Sequence, residues 1–335
     1  MRYLVIGSGS IGKRHTRNLR AIGVAPENIF AVDTRADRRD EMKAIGVGAT
    51  YASFDEALAA GRYDAALVCS PTALHIPQAI ALAERGTHIL MEKPLAHDLT
   101  GIEDLRRAVA DNGVQVLMAY IFRFAPTVAK AKELLDSGII GKVLYVRGEF
   151  SEYLPDWHPY EDYRSFYMAE KSQGGGSILD QSHVMDLIHF LLGGFASVSC
   201  FNSHVSDLEL KADDVAEMII RLKSGVLASV HTDIFGRDHK KFIEIKGERG
   251  NILWDHYAGA VTHYDAQTKS QHVFKKFPAD FNLAYIAELN HFIACCQGRE
   301  KPLASLQDGI ETMELILAAE KSHASGRVEE VGPSA

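Results

Sequence analysis

The chain reads as α/β: an N-terminal Rossmann doubly wound parallel sheet, then a C-terminal α+β domain with an open, mostly antiparallel sheet. Three observations predict this. Met1 to Gly12 is MRYLVIGSGSIG, an apolar run that ends in G-x-G-x-x-G at Gly7, Gly9 and Gly12. The first 120 residues alternate apolar, strand-like runs with helical patterns. After Ser137 the texture changes to closely spaced runs rich in Val, Ile, Phe and Tyr, several of them separated by tight turns.

The strands expected in the first part are 2–6, 28–33, 64–69, 87–91 and 114–119. Between them lie helix patterns at 12–22, 36–45, 54–60, 75–85 and 100–112, several closed by glycine (Gly23, Gly46, Gly61, Gly86, Gly113). Ligands of a doubly wound sheet bind beyond the carboxyl ends of its strands. That rule directs attention to Gly7–Gly12, Asp33–Arg35, Ser70–His75, Glu92–Pro94 and Tyr120–Phe124. A helix from Pro126 to Ser137 leads into strands at 142–151, 196–204, 214–222, 225–234, 241–246, 251–255, 260–265 and 271–276. Helices are expected at 177–192, 281–297 and 307–325, with Val331–Ala335 as a tail. Helices 126–137 and 177–192 are the candidates to cover one face of the second sheet, leaving the other face to pair with a second subunit. The domain limits on this reading are 1–121 and 122–335.

Of the 335 residues 47% are hydrophobic and 24% charged, ordinary values for a globular protein of about two domains. A formal net charge of −8 argues against nucleic acid or an anionic membrane as the main partner, since both reward a basic face. Cys69, Cys200, Cys295 and Cys296 form no C-x-x-C pair, which suits reduced thiols. No apolar run approaches the roughly 18 residues of a membrane span, and a strand at the very N-terminus leaves no room for a signal peptide. The expectation is a soluble, cytoplasmic protein.

The three glycines sit where a strand turns sharply, lets backbone approach a pyrophosphate and starts a helix whose N-terminus favours anions. The run Ile29–Val32 stops at Asp33, about 20 residues past Gly12, where an acid accepts hydrogen bonds from an adenosine ribose. Together these imply a bound dinucleotide. Asp33 favours NAD, because a carboxylate repels a 2′-phosphate; Arg35 and Arg38 close behind offset part of that repulsion and leave NADP open. At the fourth βα strand end, Met91-Glu92-Lys93-Pro94 directs Lys93 by the constraint of the following proline. A lysine there can stabilise an alkoxide as a hydride leaves; the plainer alternative is a solvent-facing lysine in a turn. Gly174 to Asp186 places Asp180, His183 and Asp186 at intervals of three, adjacent along a helix surface. A histidine flanked by carboxylates serves as a general acid–base; the alternative is a helix cap at Asp180 and a structural His183. None of the metal-binding histidine or cysteine patterns occurs, so no metal is expected. The segment Glu149 to Arg164, dense in aromatic and polar groups, suits either a loop folded over a sugar or a rigid domain or subunit contact.

These landmarks resemble the glucose–fructose oxidoreductase / inositol dehydrogenase family of NAD(P)-dependent oxidoreductases. The matching pieces are Gly7-Ser8-Gly9-Ser10-Ile11-Gly12, Cys69-Ser70-Pro71-Thr72-Ala73-Leu74-His75, Glu92-Lys93-Pro94, Tyr120 with Arg123-Phe124, and Gly174 to Asp186. The resemblance implies hydride transfer between nicotinamide and a carbinol carbon, usually of a sugar or cyclitol, and a homodimer or homotetramer built through the C-terminal sheet. It implies that Lys93 is catalytic, that Asp180 and His183 match an Asp and His pair, and that Ser70, Pro71 and His75 line the dinucleotide. The family's usual spacing has three residues between that Asp and His; here only Gln181 and Ser182 intervene, so the match is anchored on His183. The variant D-x-S-H-x-x-D, with Glu152 to Pro159, resembles a branch linked to amino-sugar or nucleotide-sugar metabolism. The cofactor candidates are Gly7, Gly9, Ser10, Ile11, Gly12, Asp33, Thr34, Arg35, Cys69, Ser70, Pro71, Thr72, His75, Glu92, Lys93 and Arg123. The substrate candidates are Lys93, Arg123, Tyr153, Trp157, His158, Tyr163, Arg164, Asp180 and His183. Two other functions stay open at this point: redox-neutral, NAD-dependent glycoside cleavage or epimerisation, and a regulatory protein that binds a dinucleotide without turnover.

Overall fold

The computed structural model describes residues 1–157, 162–275, 277–278 and 280–332. It divides into two compact units, one of residues 1–121 with 282–309, the other of 122–281 with the chain from 310 onward.

The first unit strings β1 (Tyr3–Ile6), α1 (Ser10–Ala21), β2 (Ile29–Val32), α2 (Ala36–Ile45), β3 (Ala49–Tyr51), α3 (Phe54–Ala60), β4 (Ala65–Val68), α4 (His75–Ala83), β5 (His88–Met91), α5 (Ile102–Asp111) and β6 (Val116–Met118). Its strands form one parallel sheet in the order β3-β2-β1-β4-β5-β6. Every residue of β1 and β4 is buried, so these strands read as unbroken apolar runs; helices on both faces remove the polar alternation a half-exposed strand would show. β3 has no counterpart in the sequence reading. It is three residues long and half-buried throughout, too short and too mixed to leave a pattern.

Helix Asn282–Cys296 also belongs to this unit. Asn18 of α1 and Asn282 exchange amide hydrogen bonds of 3.2 and 3.0 Å, and Met118 N donates to Ala304 O at 2.8 Å. Sequence order groups 282–309 with the second half, whereas its packing partners lie in the first.

The second unit begins with α6 (Pro126–Asp136), where proline at the first helical position costs no hydrogen bond. It continues through β7 (Val143–Tyr153), the short α7 (Leu154–Trp157), α8 (Ser177–Asp180) and α9 (His183–Leu192). Then come β8 (Phe195–Ser203), β9 (Val215–Leu222), β10 (Leu227–Asp233), β11 (Phe235–Gly247), β12 (Gly250–Asp255), β13 (Ala260–Asp265), β14 (Ser270–Phe274) and the two-residue β15 (Glu329–Glu330). The sheet order is β14-β13-β12-β11-β7-β10-β9-β8-β15, antiparallel except where β7 meets β10. On β9, Ala216, Met218, Ile220 and Leu222 point inward while Glu217, Ile219 and Arg221 point out, so one face of the sheet is covered. α9 lies across β7 at Gly148, where a side chain's Cβ would stand only 2.7 Å from Val184. α6 is tied to β12 by Trp254 Nε1 donating to Thr127 Oγ1 at 2.9 Å.

A helix also departs from expectation. The helix at 177–192 is two helices, α8 and α9, broken at Gln181 and Ser182. Asp180 and His183 therefore fall on either side of the break, and their three-residue step is not a turn of one helix. α8 is started by Gly176 at φ +111°, beside an Asp213 carboxylate that accepts from Ile178 N at 2.9 Å.

The start of α9 is held from beneath by an ion pair. Arg123 reaches Asp186 with Nε at 3.0 and 3.1 Å and Nη2 at 2.6 Å, and its guanidinium lies 4.9 Å from the centre of the Phe190 ring. Both side chains are almost wholly withdrawn from solvent. Breaking such a pair strands a buried charge, so Arg123→Met should destabilise the fold by about 3–5 kcal/mol, and Arg123→Met with Asp186→Leu should recover most of that loss. Chemical denaturation followed by tryptophan fluorescence checks this; a single variant within about 0.5 kcal/mol of the native chain would contradict it.

Candidate functional site

The carboxyl edge of the first sheet is shaped by two glycines. Gly7 leaves β1 at φ +89°, and a Cβ there would stand 2.4 Å from Cys69 O. A Cβ on Gly12 would meet Gly7 O at 2.0 Å. Only hydrogen fits at either place, so α1 sits directly on Gly7, the residue that follows β1, and Gly7 on the loop after β4. Gly9 is different: its nearest atom would be Arg38 Nη1 at 3.9 Å, which leaves the helix entrance open. The first amides of α1, those of Ser10, Ile11 and Gly12, have no acceptor within the helix and favour an anion at its N-terminus.

Asp33 stands next to this entrance. Its Oδ2 accepts from Ser8 N at 2.8 Å and its Oδ1 from Arg35 N at 2.9 Å. Arg38 Nη1 lies 3.8 Å from Oδ2. Each carboxylate oxygen retains lone pairs for a ribose hydroxyl. Arg39, which the sequence reading passed over, clasps the turn after β2 by donating to Asp33 O and Thr34 O, both at 2.8 Å. The Arg35 side chain turns outward to Asp37. A turn that excludes a Cβ at Gly7 and Gly12, an open helix N-terminus and an acid beside it fit a bound NAD.

The loops after β4 and β5 complete this edge. Pro71 and Thr72 open a 3-10 turn, Thr72–Leu74, and Ser70 Oγ donates to Gln78 Oε1 at 2.7 Å. The ring nitrogens of His75 lie 2.9 Å from Ser70 O and 3.0 Å from Pro94 O, so this buried side chain ties the two loops together. Burial lowers its pKa. Glu92 links the loop to the glycine helix: Oε1 is 2.9 Å from His15 Nε2, and Oε2 accepts from Lys93 N at 3.3 Å. Half-buried Lys93 therefore follows β5 with its backbone fixed to the helix that faces the anion site.

Cys69, His15 and Glu92 bring one potential metal ligand each within 4.8 Å of one another. Burial, with Glu92 and Glu288 nearby, pushes the Cys69 thiol well up, which keeps it a neutral thiol and a poor ligand. Glu288 lies fully buried on helix Asn282–Cys296, and neither of its oxygens has a hydrogen-bond partner among the described residues. Burial first, and Glu92 second, raise its pKa far above the usual carboxylate range.

In the second unit the centre is Phe122. Its ring is met edge-on by His183 at 5.0 Å and His256 at 5.1 Å, and lies 5.3 Å from Phe281 and 5.6 Å from both Phe150 and Trp254. Lys241 Nζ is 5.7 Å from the same ring. Lys241 pairs with Glu152 at 2.8 Å, and Glu152 also accepts from Tyr257 OH and, at 3.2 Å, from Gln181 Nε2. Asp180 is buried and accepts from Tyr167 OH at 3.0 Å. Sequence reasoning left Gln181, Lys241, His256 and Tyr257 off the site and treated Glu152 only as part of a loop. The signal was present: Lys241 shares strand parity with Ile243 and Ile245, Glu152 with Val146 and Phe150, and His256 follows Trp254 and Ile252. Each is a polar residue where the alternation calls for an apolar one.

The other substrate candidates are engaged elsewhere. Arg123 is committed to Asp186. Trp157 packs with Tyr163, Phe166 and Tyr167 against Leu154, Met168 and Ile234, filling a small apolar cluster. Arg237 stacks 3.6 Å over the Tyr153 ring, Arg164 pairs with Asp162 and Glu209, and Tyr163 OH accepts from Glu209 N at 3.1 Å. His158 lies outside the described residues.

Comparison with known proteins divides the chain by sequence order, near residue 120. Residues 1–120 match the family model for the oxidoreductase family, NAD-binding Rossmann fold, and residues 132–331 match that family's C-terminal alpha/beta domain. The chain is 31% identical over 335 residues to myo-inositol 2-dehydrogenase of Thermotoga maritima, covering 96% of each. It is 29% identical to scyllo-inositol 2-dehydrogenase (NAD(+)) of Bacillus subtilis, covering 97% of this chain and 95% of the other. A solved levoglucosan dehydrogenase in complex with NADH and levoglucosan shares the fold over the full length of both chains, with a TM-score of 0.87 at 22% identity. No helix among the described residues is long and apolar enough to cross a membrane.

Glu288 yields a pH prediction. A carboxyl whose folded pKa is raised contributes stability that is complete below its unfolded pKa, about 4.3, and is lost as pH rises above it. Glu288→Gln keeps the shape without that loss. The variant should unfold at higher denaturant than the native chain at pH 8, with the gap closing toward pH 4.5. A gap that is absent at pH 8, or that widens in acid, would show that Glu288 is not held protonated.

Proposed function

The chain belongs to the glucose–fructose oxidoreductase / inositol dehydrogenase (Gfo/Idh/MocA) family of NAD(P)-dependent oxidoreductases, and from that premise we propose that it interconverts a carbinol and a ketone on a sugar, cyclitol or amino or nucleotide sugar, with Lys93 and His183 as its catalytic residues. The observation that carries the reading is the tie from Lys93 through Glu92 to His15 of α1. It places the lysine on the same strand-end edge as the glycine cradle, anchored to the helix that cradle creates.

When bound, NAD supplies the acceptor for the hydride that leaves the carbinol carbon. The chain's part is to orient the substrate and manage its proton. Lys93 Nζ donates to the substrate oxygen and stabilises the negative charge that grows there as the C–H bond breaks. His183 takes the hydroxyl proton in oxidation and returns it in reduction. Asp180, held by Tyr167, acts through hydrogen bonding and less strongly. The relatives named above as inositol and levoglucosan dehydrogenases support a cyclic polyol as substrate. The outer face of the second sheet, with Phe201 76% and Ile219 51% exposed, supports assembly into a dimer or tetramer.

Lys93→Met should reduce kcat by about 10²-fold or more while NAD affinity stays nearly unchanged. In His183→Asn the fall of kcat/KM for oxidation on the acid side of the pH profile should vanish. Near-normal kcat in the first variant, or an unaltered profile in the second, would remove that residue from the mechanism. Asp33 should make the native chain prefer NAD over NADP, and Asp33→Ala, with Arg35 and Arg38 kept, should shift the ratio of kcat/KM values toward NADP. A native preference for NADP would refute this role.

A further inference from the structure

We propose that the Lys241–Glu152 pair is a specificity subsite that reads two neighbouring uncharged hydroxyls of the substrate and discriminates against a carboxylate in their place. The proposal rests on the oxidoreductase reading above and deepens it by naming the substrate class: at this end the substrate is a neutral vicinal diol.

The pair stands where stability gives little reason for one. Lys241 and Glu152 project from β11 and β7 on the helix-covered face, Lys241 from the middle of its strand and Glu152 from the next-to-last residue of β7, with Lys241 Nζ 5.7 Å from the Phe122 ring. Both side chains are mostly buried. Withdrawing two charges from water costs about as much as their attraction returns, so a pair of apolar residues would serve the core as well. What the charges add is hydrogen-bonding capacity. Lys241 has three N–H donors, and among the described residues its hydrogen-bonding partner is Glu152. Its remaining donors are available to a ligand. Glu152 is oriented from three sides by Lys241, Gln181 and Tyr257.

A donor and an acceptor 2.8 Å apart match adjacent hydroxyls on a six-membered ring. One hydroxyl oxygen accepts from Nζ, and its neighbour donates to the carboxylate. The subsite carries no net charge. His256 adds none, since burial and the Lys241 charge hold its pKa down to about 4. A ligand carboxylate would gain Lys241 but confront Glu152 within the same few ångströms, in a place where burial leaves that repulsion poorly screened. Phe122 also meets His183, at 5.0 Å between ring centres, so the diol subsite and the proposed acid–base share one aromatic support.

The test measures kcat and KM with NAD for neutral aldoses, cyclitols and anhydrosugars, each aldose paired with its uronic acid, D-glucose with D-glucuronate for example. The native chain should prefer the neutral member of each pair. Glu152→Gln leaves the lysine uncompensated and should raise the uronate-to-neutral ratio of kcat/KM about tenfold or more, while Lys241→Met should raise KM for the neutral substrate about tenfold, more than it lowers kcat. Lys241→Arg should recover part of that KM. The double variant Glu152→Gln with Lys241→Met, which carries neither charge, should fold as well as the native chain by thermal denaturation and still bind weakly, separating recognition from stability. Normal turnover with unchanged KM and unchanged ratio in these variants would overturn the subsite and leave the oxidoreductase reading standing. A native preference for uronates would do the same. Absence of NADH formation with every substrate would instead defeat the oxidoreductase reading and the subsite with it.

Discussion

The structure depends first on a contact that only hydrogen can make. With Gly12 against Gly7 O and Gly7 against Cys69 O, helix α1 reaches the end of β1 more closely than any side chain permits. Everything functional in the first unit is referred to that contact. It aims the free amides of α1 across the strand ends, brings Ser8 N to Asp33, and carries His15 to Glu92 and so to the backbone of Lys93. The adenosine end and the proposed reacting end of the dinucleotide site are thus positioned from one short helix.

The second unit positions its chemistry by a different means. Its candidate side chains are largely buried between the sheet and the helices that cover it, Lys241 and Glu152 on strands and the others on helices and turns. Placing polar groups there requires partners, and each has one. Arg123 meets Asp186 of α9, Lys241 of β11 meets Glu152 of β7, and Asp180 meets Tyr167. The aromatic ring of Phe122 gathers His183, His256 and Lys241 around it. Such groups are held in one geometry because any other arrangement would leave a buried charge or dipole unpaired.

Much of this was legible in the chain itself. Gly7, Gly9, Gly12 and Asp33 follow from backbone geometry and charge, and the alternation of the first 120 residues yields the parallel sheet. Three kinds of feature were not legible. β3 is too short to show a period. The membership of 282–309 in the first unit depends on contacts such as Asn18 with Asn282, which no local pattern announces. Trp157 lies in a segment whose aromatic density suited either a loop over a sugar or a rigid contact, and its packing in an apolar cluster with Leu154 and Met168 depends on residues distant in sequence such as Ile234. The break between α8 and α9 lies between these cases: the short step from Asp180 to His183 was visible, while its cause, a change of helix at Gln181 and Ser182, was not. Lys241 and Glu152 were readable in principle, as charged residues on the apolar parity of their strands.

The central claim is that Lys93, fixed through Glu92 and His15, stands at the reacting end of a dinucleotide seated on the glycine cradle. A crystal structure of the chain with NAD and a bound polyol tests it most directly. The account predicts the pyrophosphate at the N-terminus of α1, a ribose diol on Asp33, and Lys93 Nζ within hydrogen-bonding reach, about 3 Å, of the hydroxyl on the carbon that faces the nicotinamide. A nicotinamide lying away from Lys93, with that hydroxyl held by other groups, would contradict it.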